Sequence, residues 1–251
     1  MLLRTTILAF ALVASGSLSA KVTEEETFSY ELDDGGRLSV SNVNGSITVT
    51  GGSGDTVEII AIKKADNQET LDEIEIKINH SADSIVVETE LPDSGKWFNR
   101  NGNSGQVTYQ IIAPANTNLD SIETVNGNVD ISGVSASVVA ESVNGDLDLA
   151  DLASDASFST VNGSIDAEFA VLEGQQKVKA ETVNGRISLR LPSEADVDVS
   201  ADTLNGSISG KDFGLETDKG FVGSDLNGKI GRGSARLNLD TVNGSIKIRS
   251  N

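Results

Sequence analysis

A hydrophobic-Asn-Gly triplet occurs eight times in this chain, with its Asn at Asn44, Asn126, Asn144, Asn162, Asn184, Asn205, Asn227 and Asn243. From the second copy onward the intervals are 18, 18, 22, 21, 22 and 16 residues, room for two short strands and their connections in each repeat. An Asn-Gly pair between alternating apolar runs is a strong signal for a reversal or corner, because both residues tolerate positive φ. The eight Asn residues are therefore predicted to be structural corners, with hydrogen bonds between turns as a further role.

The phase of the repeat says more than its count. Apolar or small residues stand two, four and six places before most of these Asn residues, as in Val178, Ala180 and Thr182 before Asn184, and three and five places after, as in Ile187 and Leu189. Both arms read as strands with one face buried. The residue just before Asn has the opposite parity yet is apolar in every copy: Val43, Val125, Val143, Val161, Val183, Leu204, Leu226 and Val242. In a one-sided hairpin these side chains would face water, whereas a bend at the corner can turn them inward. An array of hairpins is thus the lesser expectation. The preferred fold class is all-β: a β-solenoid, a single-stranded β-helix-like stack of VNG repeats in which each turn pairs with the next, with a less regular N-terminal β region.

Three segments follow. Residues 1–20 carry Arg4, an apolar run from Thr5 to Ala14 and a small-residue stretch from Ser15 to Ala20, the pattern of a secretory signal peptide cut near Ser19 or Ala20. The run is too short for an ordinary spanning helix, so no membrane span is expected after cleavage. Residues 21–115 form the irregular N-terminal β region. Its only triplet lies 82 residues before the next, close to four repeat lengths, and two continuations fit: irregular solenoid turns with degenerate corners, or a small β-sandwich cap. Residues 116–251 form the VNG-repeat solenoid.

The chain holds no cysteine, so an exported fold must be stabilised without disulfides, and a cysteine-linked lipid anchor is excluded. With 19 basic and 38 acidic residues the net charge is −19. Nucleic acid and anionic lipid are poor partners for such an acidic protein.

The segment Ser41-Asn42-Val43-Asn44-Gly45-Ser46-Ile47-Thr48-Val49, the strand ending Ile112-Ala113-Pro114 and the later Thr-Val-Asn-Gly-Ser-Ile cassettes resemble the bacterial putative-adhesin domains of unknown function, a family related to the head domains of trans-autotransporter adhesins. The resemblance covers nearly the whole mature chain. It implies adhesion as a role and brings no catalytic residues with it.

Enzyme chemistry has little to work with. His80 is the only histidine and reads as an ordinary strand-end residue. Parallel β-helix proteins include glycan hydrolases and lyases, but the many acids make chance carboxylate pairs abundant. The acids do fall in rows: Asp130, Asp148 and Asp166 four places after Asn, and Glu123, Glu141, Glu181, Asp202 and Asp240 three places before it. A solvated acidic face that keeps the stack soluble is the plainer reading. The sharper one is a weak calcium site along Asp130, Asp148 and Asp166, since stacked carboxylates can offer several oxygens. Otherwise no cofactor is called for. Trp97 and Phe98 lie in a Gly-, Asn- and Ser-rich stretch that reads as a partner-binding loop, with packing back onto the sheet as the plainer alternative.

Together these features predict a non-enzymatic exported protein of the bacterial cell envelope, periplasmic or secreted, acting as an adhesin or binding module for an envelope protein or glycan. The alternative is a structural or envelope-stress-associated scaffold without a dedicated ligand. A glycan hydrolase or lyase comes third.

Overall fold

Alternating aliphatic residues build strands wherever the sequence places them, and in this computed structural model the strands gather into one ten-stranded and one eleven-stranded sheet. The structure describes residues 21–91, 105–172, 174–220 and 223–251. Residues 1–20, expected to be a signal peptide, and both Trp97 and Phe98 lie outside the described residues.

In chain order the strands begin with β1 (Val22–Glu31), β2 (Arg37–Asn44), β3 (Ile47–Gly52), β4 (Thr56–Ala65), β5 (Glu75–His80), β6 (Ser84–Glu90) and β7 (Gln106–Pro114). The repeats follow as strand pairs: β8 (Asn118–Asn126) with β9 (Val129–Ser132), β10 (Val138–Asn144) with β11 (Leu147–Leu152), β12 (Ala156–Asn162) with β13 (Ile165–Phe169), and β14 (Lys177–Asn184) with β15 (Ile187–Leu191). The last are β16 (Val197–Asn205) and β17 (Ile208–Ser209), β18 (Asp218–Lys219), β19 (Ser224–Ile230), and β20 (Ala235–Asn243) with β21 (Ile246–Ser250). Seven of the eight triplet Asn residues each end a strand of the eleven-stranded sheet, and the chain resumes three residues later in the ten-stranded one. Asn227 is the exception and lies inside β19, which runs antiparallel to β16.

Pairing runs between repeats. β8, β10, β12 and β14 are parallel neighbours, with Asn126, Asn144, Asn162 and Asn184 in register, and β9, β11, β13 and β15 match them in the other sheet. The inward residues form one aliphatic core between the sheets, from Leu38 and Ile47 through Val178 and Ile187 to Leu237 and Ile248.

The array is not an uninterrupted coil in chain order. β20 lies between β14 and β16, so the last repeat is inserted beside the fifth corner and the Asn205 repeat is displaced outward. Antiparallel strands close the ends: β19 on β16, β5 on β6, and β4 with β1 on β7. The 82-residue gap is not filled by four turns. β2 and β3 pair directly with β8 and β9, and the intervening chain makes an excursion that adds one further parallel pair, β6 on β2 and β7 on β3.

The corners work differently from the expectation. The residue before Asn does not turn inward: Val43, Val125, Val143, Val161, Val183, Leu204 and Val242 are 37–51% exposed, and only Leu226, outside the array, is buried. Positive φ is not what the corners need either. Among the described residues the one non-glycine with positive φ is Asp151, and Gly45 is the only triplet glycine with it.

What selects the triplet is close stacking. A Cβ at Gly145 would overlap the carbonyl oxygen of Gly127, and one at Gly163 that of Gly145. The Thr or Ser two places before Asn points inward and satisfies these carbonyls. Thr124 donates to Gly45, Ser142 to Gly127, Thr160 to Gly145 and Thr182 to Gly163, at 3.0–3.1 Å. A buried hydroxyl row therefore serves the corner carbonyls, which would otherwise lose a hydrogen-bond partner away from water.

Candidate ligand-binding face

Parallel register turns each position of the repeat into a row along the stack, with steps of about 4.8 Å. Three rows run along this side of the stack, one at the corners and two on the outer face of the eleven-stranded sheet. The first is a ladder of Asn amides. Asn126 donates to Asn44, Asn144 to Asn126, Asn162 to Asn144, Asn184 to Asn162, Asn243 to Asn184 and Asn205 to Asn243, at 2.8–3.0 Å. At the far end Asn44 donates to the Gly105 carbonyl at 3.2 Å.

The second row is the exposed aliphatic ladder from Val43 to Leu204. Parity alone puts it outside, since the inward Thr leaves the next side chain facing water. Seven exposed aliphatic side chains in line form an apolar strip, a larger feature than the scattered surface hydrophobics of an ordinary soluble face.

The third row is acidic and lies two residues back along each strand: Glu123, Glu141, Ser159, Glu181, Asp240 and Asp202, each in register with the next, with Asp225 of β19 opposite Asp202. Glu181 pairs with Lys179 at 2.9 Å, while Asp202, Asp225 and Asp240 form no ion pair among the described residues. Burial raises the Asp240 carboxyl above the ordinary carboxylate value, and the Asp202 and Glu181 charges add to the shift while the Lys179 charge opposes it. Rows two and three meet in a groove of about 620 Å³ at the β16–β19 end, bordered by Val161, Val183, Val242 and Leu204 and by the carboxylates of Glu181, Asp240, Asp202 and Asp225.

The ten-stranded sheet carries the other acidic row. Asp130, Asp148 and Asp166 are in register on β9, β11 and β13. Arg186 bridges Asp166 at 3.0 Å, and the row passes into Ser188 and then Lys247. Burial raises the Asp148 carboxyl, with added repulsion from Asp130 and Asp166. No group of three or more His, Cys, Asp or Glu is placed to hold a metal ion among the described residues. His80 ends β5, its ring 4.3 Å from that of Tyr30. No helix among the described residues is long and apolar enough to cross a membrane.

Sequence reasoning misplaced the aliphatic ladder and left the role of the hydroxyl row unread. The Val of opposite parity was assigned inward and is exposed, whereas the Thr of core parity is buried as expected and carries a hydrogen-bonding role that its parity alone did not reveal.

The sequence matches the profile of the Toastrack DUF4097 family over residues 12–249. Among solved structures, a putative cell adhesion protein from Clostridium sporogenes ATCC 15579 aligns at 15% identity over 91% of this chain and 100% of its own, with a TM-score of 0.46. A putative adhesin from Bacteroides fragilis NCTC 9343 aligns at 11% identity over 92% and 98%, with a TM-score of 0.33. A putative lipid binding protein from Parabacteroides distasonis ATCC 8503 aligns at 11% identity over 90% and 94%, with a TM-score of 0.26. No curated protein matches the chain.

Proposed function

Since the chain belongs to the Toastrack DUF4097 family, we propose that it is an exported, non-enzymatic binding module of the cell envelope, periplasmic or secreted. In this reading the VNG repeats form a solenoid-like rack whose outer face, carrying the aliphatic ladder, receives an envelope partner. The observation behind it is the exposure of Val43, Val125, Val143, Val161, Val183, Val242 and Leu204 in one line. A continuous line of half-exposed aliphatic side chains is more than the scattered surface hydrophobics of an ordinary face, and it lies outside the aliphatic core between the sheets. With a single histidine and no cysteine, the chain has few of the groups used for nucleophilic or metal-assisted catalysis.

The test is capture from envelope fractions by the mature chain and by a Val183→Ser/Val242→Ser variant. The reading expects partners retained by the first and lost by the second, with the melting temperature of the variant within a few degrees of the parent. Equal capture by both would overturn it. Repeating the capture with calcium and with a chelator asks whether Asp130, Asp148 and Asp166 take part. Export is tested by N-terminal sequencing of the protein recovered from cells, where a mature chain still beginning at Met1 would count against it.

A further inference from the structure

We infer that the groove at the β16–β19 end of the ladder seats a basic amphipathic α-helix of a partner polypeptide, lying along the stack axis and across the strands. The inference rests on the docking-face reading above and adds the chemistry and shape of what docks.

Spacing comes first. The rungs at Val161, Val183, Val242 and Leu204 belong to adjacent strands β12, β14, β20 and β16, so their three steps cover about 14 Å. A helix turn rises about 5.4 Å, so a helix laid along this row is out of step by only about 2 Å after three turns. An extended strand in the same direction presents a same-face side chain every ~6.6 Å and is out by more than a full rung after three. A helix can therefore keep one apolar side chain at each rung, as in the helix-in-groove mode of recognition.

Width comes second. The acidic row lies two residues along each strand from the aliphatic row, about 7 Å away. A helix about 10 Å across spans both rows at once. Its apolar stripe rests on Val183, Val242 and Leu204, while one flank stands over Asp240, Asp202 and Asp225.

Charge comes third. Those three carboxylates lack an ion-pair partner among the described residues and stand in register on adjacent strands, so each repels the next. Lys or Arg on the helix flank would relieve that repulsion. The net charge of −19 attracts such a partner over distance and disfavours an acidic helix or an anionic membrane in the same place. The four rungs accommodate about ten residues of helix, and the full seven-rung ladder, roughly 29 Å long, about nineteen.

The probe is an 18-residue Leu/Lys peptide with Leu on one helical face and Lys on the other, fluorescently labelled and titrated with the mature chain. A peptide of the same composition in scrambled order and the polyamine spermine serve as controls. The amphipathic peptide is expected to bind at least about tenfold more tightly than the scrambled one and to gain helical circular dichroism on binding. The Asp202→Asn/Asp225→Asn/Asp240→Asn variant is expected to weaken binding about tenfold and flatten its salt dependence, and Val183→Ser/Val242→Ser to weaken it similarly. Ile112→Ser, at an exposed position of β7 on the ten-stranded sheet and off the ladder, leaves the affinity within about twofold and controls for general surface effects.

Equal binding of the scrambled peptide, displacement by spermine at matched charge, no gain of helicity, or carboxylate variants that bind like the parent would each overturn the inference. Should the peptide fail while Val183→Ser/Val242→Ser still abolishes envelope capture, the docking face stands and only the helical partner falls. Loss of both results removes both.

Discussion

Asn243 donates its side-chain amide to Asn184 Oδ1 at 2.8 Å across 59 residues of sequence, while Asn205, which lies between them in the chain, sits beyond Asn243 and donates to it at 3.0 Å. The last repeat is therefore a keystone. It fills the place next to the fifth corner and supplies the parallel neighbour of the repeat that precedes it.

Removing residues 232–251 is expected to release more than its own two strands. It deletes the buried side chains of Leu237, Leu239, Ile246 and Ile248, about 6–12 kcal/mol of apolar burial at roughly 1.5–3 kcal/mol each. It also leaves β16 with β19 as its only sheet neighbour. Hydrogen exchange should show residues 197–230 losing protection together, with β8–β13 still protected. Retained protection over 197–209 would contradict the keystone arrangement.

The Asn ladder separates two kinds of triplet. Asn162 both donates to Asn144 and accepts from Asn184, so Asn162→Ala removes two hydrogen bonds at an exposed edge. A loss of about 1–2 kcal/mol is expected. Asn227 stands in β19 and only accepts from the Ser200 hydroxyl at 2.9 Å, so Asn227→Ala should cost about 0.5 kcal/mol or less. Urea denaturation of the pair checks this, and equal losses would argue against a ladder.

Gly163 distinguishes stacking from torsion as the reason for the triplet glycine. Its φ is not positive, so an alanine there is free of backbone strain, yet the added Cβ overlaps the Gly145 carbonyl oxygen. Gly163→Ala is expected to cost about 2–3 kcal/mol or more, since neither backbone can give way without disturbing its neighbours. Gly35→Ala, in a turn with φ +69° and open space around it, should cost about 1 kcal/mol from strain alone. The order reverses if torsion governs the corners.

These residues also show how far the sequence could be read. Inter-repeat pairing was legible because the apolar positions at Val178, Ala180, Ile187 and Leu189 fix which face is buried, and a slip of one residue would turn that face to water. The stacked Asp130, Asp148 and Asp166 followed from the same periodicity. The burial of Val183 was misread, because parity conflicted with hydrophobicity and hydrophobicity was given precedence. Thr182 looked like a small core residue, when its hydroxyl serves a carbonyl one turn away. The insertion of β20 between β14 and β16 left no trace in the spacing, since Asn184, Asn205 and Asn243 head near-identical cassettes. Nothing local to the chain ranks their order in space.

Acid titration should expose the row on the ten-stranded sheet. The Asp148 carboxyl is raised by burial and then by the charges of Asp130 and Asp166, and Asp130 is raised by burial. An acid whose folded value lies above its unfolded one takes up its proton more readily in the fold. As pH falls from neutral towards the range just above the ordinary carboxylate value, these groups therefore stabilise the protein, and as pH rises through their folded values they impose their full penalty. Asp196 works in the opposite sense. The Ser234 hydroxyl, followed by the backbone N–H groups of Gly233, Arg232 and Ser234, holds its carboxyl below the usual value, so its contribution is present above the unfolded value and is lost only as pH drops through the lower folded one. The melting temperature should accordingly rise on mild acidification before it falls in stronger acid. Asp148→Asn should raise it at neutral pH and flatten the rise, because the repulsion it shares with Asp130 and Asp166 is gone at every pH. A melting temperature that declines steadily from neutral pH, alike in parent and variant, would show that the three carboxylates do not interact in the fold.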